Sequence, residues 1–329
     1  MIRLLQEKTE YVMEYKEAVE FANGQMEIFW LPDEIDVEKD LQSLKTVFNE
    51  AEYHGVVSTL KLFTLYEVRV GGDYWGEYIN KVFKRPDIQR MANVFSFMEV
   101  NVHAPFYNRI NEVLGLDNEE FYNSYLADPI LKNRMEWIGR QTTKSETLYD
   151  ILSSIAIFSM IEGAILFSSF AFLKHFNNNG KNKLTNVNAG INFSIQDEQK
   201  HSEGGAWLFR TLLREAIEDS AITEDEIVRL KGKLEKTTRV ILEHEGIIIS
   251  KIFEHGTMKG ITDVQLNNFV QSRLDICLTN LGFDAIYKPT YNPIAKWIYN
   301  DIQSSTLHDF FNSVGSDYHR NWSDNKFEW

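Results

Sequence analysis

Residues 151–173, ILSSIAIFSMIEGAILFSSFAFL, form the most apolar stretch of the chain, and Glu162 is its only charged residue. The length of the stretch would suit a membrane span. However, a carboxylate at the centre of a bilayer costs roughly 3 kcal/mol, and the sequence has no second stretch of this kind. We therefore predict a helix buried on all sides in a large soluble bundle, where Glu162 must be paired, protonated or bound to a metal.

Composition favours a soluble, mostly helical protein. The 329 residues include only six prolines, and apolar residues recur at helical spacing over long segments. A formal charge of -14 argues against direct nucleic-acid binding, because that requires clustered basic residues. The single cysteine, Cys277, excludes an internal disulfide framework and fits a reducing compartment. Since residues 1–21 lack the apolar core of a signal peptide, we expect a cytoplasmic protein without membrane contact.

Other segments predict the organisation around the apolar helix. Residues 223–253 form a long amphipathic pattern with an acidic start, and the helical pattern of residues 58–70 is expected to stop at Gly71 and Gly72. Residues 177–186 form a polar loop without a phosphate-binding glycine motif. The last residues, 312–329, are polar with scattered aromatics. We predict one helical domain, 1–311, followed by a flexible tail.

Four predicted helical segments each carry a carboxylate in apolar surroundings, and two of them add a histidine. In chain order these residues are Glu67, then Glu99 with His103, then Glu162, then Glu198 with His201. A single helical glutamate is usually exposed or ion-paired, but the repeated order is the pattern by which a four-helix bundle builds a two-metal site. Four carboxylates balance two divalent ions, and each ion can take one imidazole.

The spacing of Glu99 and His103 is unusual for such a pair. Glu198 and His201 are three residues apart, whereas Glu99 and His103 are four apart. A π-helical turn has about 4.4 residues per turn and would restore the three-residue geometry, and Pro105, which lacks an N–H group, loosens the helix at this point. In the alternative frame Val100 takes the ligand position and leaves the metals one carboxylate short. We predict Glu99 as the ligand.

Six segments, spread from about residue 29 to the C-terminus, match the pattern of one protein family. They are FWLPDEID (29–36), LKLFTLYE (60–67), HAPFY (103–107), IEGAILFSSFAF (161–172), QDEQKH (196–201) and YNPIAKWIYN (291–300). In these segments the chain resembles the small (β) subunit of class I ribonucleotide reductase. The resemblance implies a ferritin-like bundle with a dinuclear metal site in its core, and the six residues above match the family's metal ligands. It also implies a large (α) subunit as partner, and a homodimer.

The resemblance further implies radical chemistry. Reduced metals would activate O2 and oxidise Tyr107 to a stable radical, shielded by an apolar wall that includes Leu166 and Phe170. The oxidising equivalent would travel through Asp197 and Trp30 to the subunit surface. A tail tyrosine would then pass it to the α subunit for the reduction of ribonucleotides to deoxyribonucleotides, the precursors of DNA. In the tail, Tyr318 matches this transfer residue, and Phe327 and Trp329 are the predicted docking anchors.

The chain departs from the family pattern at the Glu99 spacing and at Glu67, where most members have aspartate. Members with glutamate there include manganese–iron proteins, but those members lack the radical tyrosine, which is present here as Tyr107. We expect two iron ions, with a manganese–iron or dimanganese pair as alternatives. Two other functions share the metal ligands: a different dimetal oxidase or oxygenase on the same bundle, and a non-catalytic iron-storage or interaction protein.

Overall fold

The computed structural model describes residues 2–178 and 182–300, and within these ranges it confirms the all-α prediction. One isolated β-bridge, between Met258 and Ile261, is the only β-pairing in the part described. The helices are α1 (Lys16–Glu27), α2 (Leu41–Thr46), α3 (Glu50–Val68), π1 (Arg69–Ile79), α4 (Asn80–Val82), α5 (Pro86–Met98), π2 (Glu99–His103), α6 (Ala104–Leu114), α7 (Glu119–Ala127), α8 (Pro129–Thr142), α9 (Leu148–Ala164), α10 (Phe167–Lys174), α11 (Thr185–Glu218), α12 (Glu224–Ile252) and α13 (Asp263–Asn280). The predicted tail, 312–329, and its boundary lie outside the described residues.

The apolar stretch forms the centre of the bundle as α9 and α10. The segment Leu148–Lys174 is long and apolar enough to cross a membrane, but 94% of its most apolar window is buried inside the protein. α9 packs against α11, α12 and α13. The prediction of a buried helix is therefore confirmed, with one difference: the helix is interrupted at Ile165 and Leu166, between α9 and α10.

Small residues allow α9 and α11 to approach closely. Ser159 and Ser202 each donate a hydrogen bond to the other's backbone carbonyl, at 2.7 and 2.8 Å. A Cβ atom on Gly163 would lie 2.4 Å from Oγ of Ser202, closer than real Cβ contacts. The close contact brings Glu162 of α9 towards Glu198 of α11.

The predicted stop at Gly71 and Gly72 is wrong, because the helix continues there as π1. A Cβ atom on Gly71 would lie 2.5 Å from Cβ of Glu99 and 2.7 Å from Cγ2 of Val100, whereas one on Gly72 would meet no atom within 4 Å. Gly71 therefore serves packing rather than termination, since it lets π1 touch π2. The amphipathic prediction for residues 223–253 is confirmed by α12, which Thr223 and Glu226 start with a capping box.

Replacing Gly71 by alanine should destabilise the protein by about 1–3 kcal/mol, because the added methyl group overpacks the contact between π1 and π2. Gly72→Ala is the matched control: its methyl group meets nothing within 4 Å, and it should leave stability unchanged or raise it by up to about 1 kcal/mol. Urea denaturation of both metal-free variants measures the difference. Equal stability of the two variants would rule out the packing role of Gly71.

Candidate metal centre

The six predicted ligand residues lie in one buried cluster in the middle of the bundle. α3 contributes one carboxylate near its end, π2 a carboxylate and an imidazole, α9 one carboxylate, and α11 a carboxylate and an imidazole. None of the six is more than 3% exposed. The members are Glu67, Glu99, His103, Glu162, Glu198 and His201.

Their ligand atoms form two overlapping groups, and within each group all atoms lie within 4.8 Å of one another. Two carboxylates, those of Glu99 and Glu198, belong to both groups. The first group adds Glu67 and His103, and the second adds Glu162 and His201. Two shared carboxylates with one imidazole at each end could hold two adjacent divalent ions.

Glu99 occupies the space between the two imidazoles. Its Oε2 lies 3.0 Å from Nδ1 of His103, and its Oε1 lies 2.5 Å from Nδ1 of His201. π2 spans Glu99–His103, so the widened turn predicted from the four-residue spacing is present. Val100, the alternative ligand position, is 37% exposed and packs beside Gly71. The structure thus places Glu99, and not Val100, in the cluster.

Burial and mutual repulsion determine the charge state of the carboxyl groups. Burial, followed by the charge of Glu99, raises the pKa of Glu67 well above its usual value and raises that of Glu198. Burial, followed by the charge of Glu198, raises the pKa of Glu162 well above its usual value. Burial also opposes ionisation of Glu99, but His103 and His201 hold its pKa below the usual range. Without metal the cluster therefore retains protons, which bound cations would displace.

The carboxylate oxygens fit a pair of cations. Both oxygens of Glu67 and Oε2 of Glu162 are buried and make no regular hydrogen bond to the protein. Acceptors this deeply buried need a proton or a cation as partner. The oxygen-rich set with two nitrogens suits iron or manganese.

Asp197 fixes the orientation of His103 from behind the cluster. Its Oδ2 lies 2.9 Å from Nε2 of His103 and accepts a second hydrogen bond from Nε1 of Trp30 at 2.8 Å. Gln25 donates to the other oxygen, Oδ1, at 2.6 Å. When Nε2 of His103 donates to Asp197, the lone pair of Nδ1 is directed at the cluster, as a metal ligand requires. The predicted residues Trp30 and Asp197 are thus joined to a ligand imidazole.

Trp75 holds the carboxylate at the other end of the cluster. It lies on π1, and its Nε1 donates to Oε1 of Glu162 at 2.7 Å. This bond leaves Oε2 of Glu162 available to a cation.

Tyr107 is fully buried one turn after His103, in the first half of α6. The ring of Phe63 stacks on it at 4.3 Å between centroids, and Phe170 lies behind Phe63 at 5.3 Å. Leu166 is also buried. Burial, followed by the charge of Glu67, raises the pKa of the Tyr107 phenol well above its usual value. The phenol therefore keeps its proton in the resting protein.

The sequence analysis missed three residues that contact the site residues. Phe63 lies four residues before Glu67, on the same helix face, so its position could have been found. Trp75 lies eight residues after Glu67, but the expected stop at Gly71 separated the two. Gln25 carried no signal, because its partner Asp197 is 172 residues away. The predicted tail residues Tyr318, Phe327 and Trp329 lie outside the described residues.

The chain matches a known protein family over most of its length. The model of the family "Ribonucleotide reductase, small chain" matches residues 8–293. A probable ribonucleoside-diphosphate reductase small subunit of Invertebrate iridescent virus 3 is 26% identical over 305 residues, which cover 88% of this chain and 78% of the viral protein. The range matched by the family model, residues 8–293, includes all six cluster residues.

Two solved structures share the fold. A putative class I ribonucleotide reductase from Bacillus halodurans superposes with a TM-score of 0.74 at 23% identity, covering 87% of this chain and 99% of the other. The dimanganese(II) NrdF of Streptococcus sanguinis superposes with a TM-score of 0.72 at 21% identity, covering 90% of this chain and 99% of the other.

Replacing Glu99 by alanine should reduce the bound metal from two ions per chain to one or none, because both groups of ligand atoms include this carboxylate. The matched control is Val100→Ala, on the same π turn but outside the cluster, which should still bind two. Elemental analysis after anaerobic loading with Fe(II) or Mn(II) and gel filtration gives the stoichiometry. Two ions retained by Glu99→Ala would exclude Glu99 as a ligand.

Proposed function

The chain belongs to the family of ribonucleotide reductase small chains, the β subunits of ribonucleoside-diphosphate reductases, and we propose that it generates and stores the radical that starts ribonucleotide reduction. The observation that carries this proposal is a fully buried tyrosine, Tyr107, one helical turn from His103 of a cluster suited to two metal ions. With a large α subunit, the radical would drive the conversion of ribonucleotides to deoxyribonucleotides.

Within this proposal the cluster residues hold the metals, and Tyr107 holds the radical. When bound, the metal pair supplies the oxidising equivalent, drawn from O2, that removes one electron from Tyr107. The pair that we propose is two irons. Manganese stays an alternative, supported by the dimanganese relative and by a ligand set that suits either metal.

The surroundings of Tyr107 support storage. The rings of Phe63 and Phe170 cover it with apolar surface, and its exposed fraction is 0%. Water and external reductants therefore have no direct contact with the phenol oxygen. A radical placed there would decay slowly.

The hydrogen bonds of Asp197 support radical transfer out of the site. His103, Asp197 and Trp30 form a continuous chain with heavy-atom distances of 2.9 and 2.8 Å. We propose that the oxidising equivalent leaves along this chain and reaches the α subunit through Tyr318. The tail 312–329 would dock to that subunit, and the protein would act as a cytoplasmic homodimer.

The same arrangement distinguishes this function from the two alternatives. An iron-storage protein needs neither a shielded tyrosine nor a tryptophan tied to a ligand imidazole. An oxygenase needs a substrate cavity at the metals, whereas here the position one turn from His103 is filled by Tyr107 and the ring of Phe63. The radical-generating function uses both the shielded Tyr107 and the hydrogen-bonded Trp30.

Loading the apoprotein with Fe(II), Mn(II) or both, and then exposing it to O2 or superoxide, should produce a tyrosyl radical detectable by electron paramagnetic resonance. Tyr107→Phe should abolish the signal and keep the metal stoichiometry, because the phenol is outside the ligand set. Tyr74→Phe, which alters another buried tyrosine, is the control and should keep the signal. Absence of a radical with iron, manganese and their mixture would refute the proposed function.

Trp30→Phe should leave the Tyr107 radical intact but strongly lower nucleotide reduction with the α subunit, because phenylalanine is much harder to oxidise than tryptophan and cannot donate a hydrogen bond to Asp197. The variant removes the indole N–H that bonds Asp197. Trp207→Phe, on α11 and packed against Tyr15 and Phe21, is the matched control. Radical yield and turnover are measured on the same samples, and full turnover by Trp30→Phe would contradict the transfer path.

A further inference from the structure

Ser194 places a hydroxyl group in the otherwise apolar surroundings of Tyr107. It lies on α11 and is 0% exposed. Its Oγ makes no regular hydrogen bond, not even to a carbonyl of its own helix. The phenol oxygen of Tyr107 is also buried and makes no regular hydrogen bond. Because buried polar groups are almost always hydrogen-bonded, a nearby partner is expected for each of these two hydroxyl groups.

The packing of α11 places Ser194 beside the Tyr107 segment. A Cβ atom on Gly190 would lie 2.2 Å from Cζ of Phe106, so α11 touches the residue that precedes Tyr107. Seven residues further along α11, Asp197 bonds His103. Ser194 lies four residues after Gly190 and three before Asp197, and therefore on the same helix face. Its hydroxyl also lowers the pKa of the Tyr107 phenol, against the larger effect of burial.

We propose that the hydroxyl of Ser194 forms a hydrogen bond with the oxygen of Tyr107 and donates it once Tyr107 carries the radical. The inference rests on the proposed function, because it concerns the oxidised state of Tyr107. In the resting protein either hydroxyl can donate to the other. Oxidation takes one electron and the phenol proton from Tyr107; the oxidant at the metal pair takes the electron, and the oxygen reduced there takes the proton. The phenoxyl oxygen that remains can only accept, so Ser194 becomes the donor by rotation of its O–H group.

This hydrogen bond changes both the g values and the stability of the radical. A donor at the phenoxyl oxygen lowers the energy of the oxygen lone pair, reduces its mixing with the singly occupied orbital and so lowers the largest g value of the radical. It also stabilises the radical relative to one in a purely apolar pocket. Phe63 covers one face of the Tyr107 ring and excludes water there. Ser194 then takes the place of water as a fixed hydrogen-bond donor.

The test is high-field electron paramagnetic resonance with deuterium ENDOR, on radical assembled after long equilibration of the apoprotein in D2O. The wild-type radical should show one strongly coupled exchangeable deuteron, and Ser194→Ala should lose this coupling and shift the largest g value upwards. Ser194→Thr, which keeps a hydroxyl, should restore the coupling. Ser153→Ala, which removes a different buried hydroxyl without a regular partner, should match the wild type. An unchanged deuteron coupling in Ser194→Ala would overturn the inference.

A second measurement does not require the radical. In metal-free protein containing 3-fluorotyrosine, the fluorine resonance of Tyr107 is assigned by its loss in Tyr107→Phe. Ser194→Ala should shift this resonance, and Ser153→Ala should not. If the wild type forms no radical, the proposed function fails, while the fluorine shift still decides whether the two hydroxyls are bonded. An unmoved Tyr107 resonance in Ser194→Ala counts against the bond.

Discussion

The electrostatics of the buried cluster constrain the rest of the structure. Four carboxylates and two imidazoles share a volume in which none is more than 3% exposed. Removing each ionised group from water costs several kcal/mol even after relaxation, and the like charges add to this cost. The raised pKa values of Glu67 and Glu162 express both effects. Two divalent cations would offset this cost, because their four positive charges would balance the four carboxylates and the ions would bind the oxygen atoms that lack hydrogen bonds.

The scaffold brings these ligands together by local departures from regular helix geometry. Gly71 allows π1 to touch π2 where Glu99 begins the widened turn. Gly163 and the paired serines Ser159 and Ser202 bring α9 against α11. Each feature shortens a distance between backbones, so that the carboxylates of different helices reach a common point. The π turns lie at the site itself, as such irregularities often do.

The sequence predicted the features that depend on local patterns. An apolar stretch with one carboxylate indicated both the central helix and the burial of Glu162, and the four-residue spacing before His103 indicated a π turn. Some contacts between distant segments carried no signal in the local sequence. From the local sequence alone, Gly71 predicts a helix stop. Its close contact with Glu99 explains why a glycine lies here inside a continuing helix. Gln25 bonds Asp197 across 172 residues, and no local pattern records that bond.

Two oxidisable aromatic residues, Trp30 and Tyr107, lie near His103, and their surroundings suit different roles in the proposed function. Trp30 donates its indole N–H to a carboxylate, Asp197, whose negative charge stabilises a tryptophan cation and whose oxygen can take the indole proton. When the indole of Trp30 loses an electron, its proton can move to Asp197 along the existing hydrogen bond, and it moves back when the electron is returned. This short proton movement favours fast transfer. Tyr107 faces Phe63 and has no regular hydrogen bond to a carboxylate. Because no acidic group is hydrogen-bonded to the phenoxyl oxygen to return a proton, and water and reductants do not reach it, a radical formed there would persist. In the proposed function, Tyr107 would therefore store the radical, and Trp30 would pass the oxidising equivalent on.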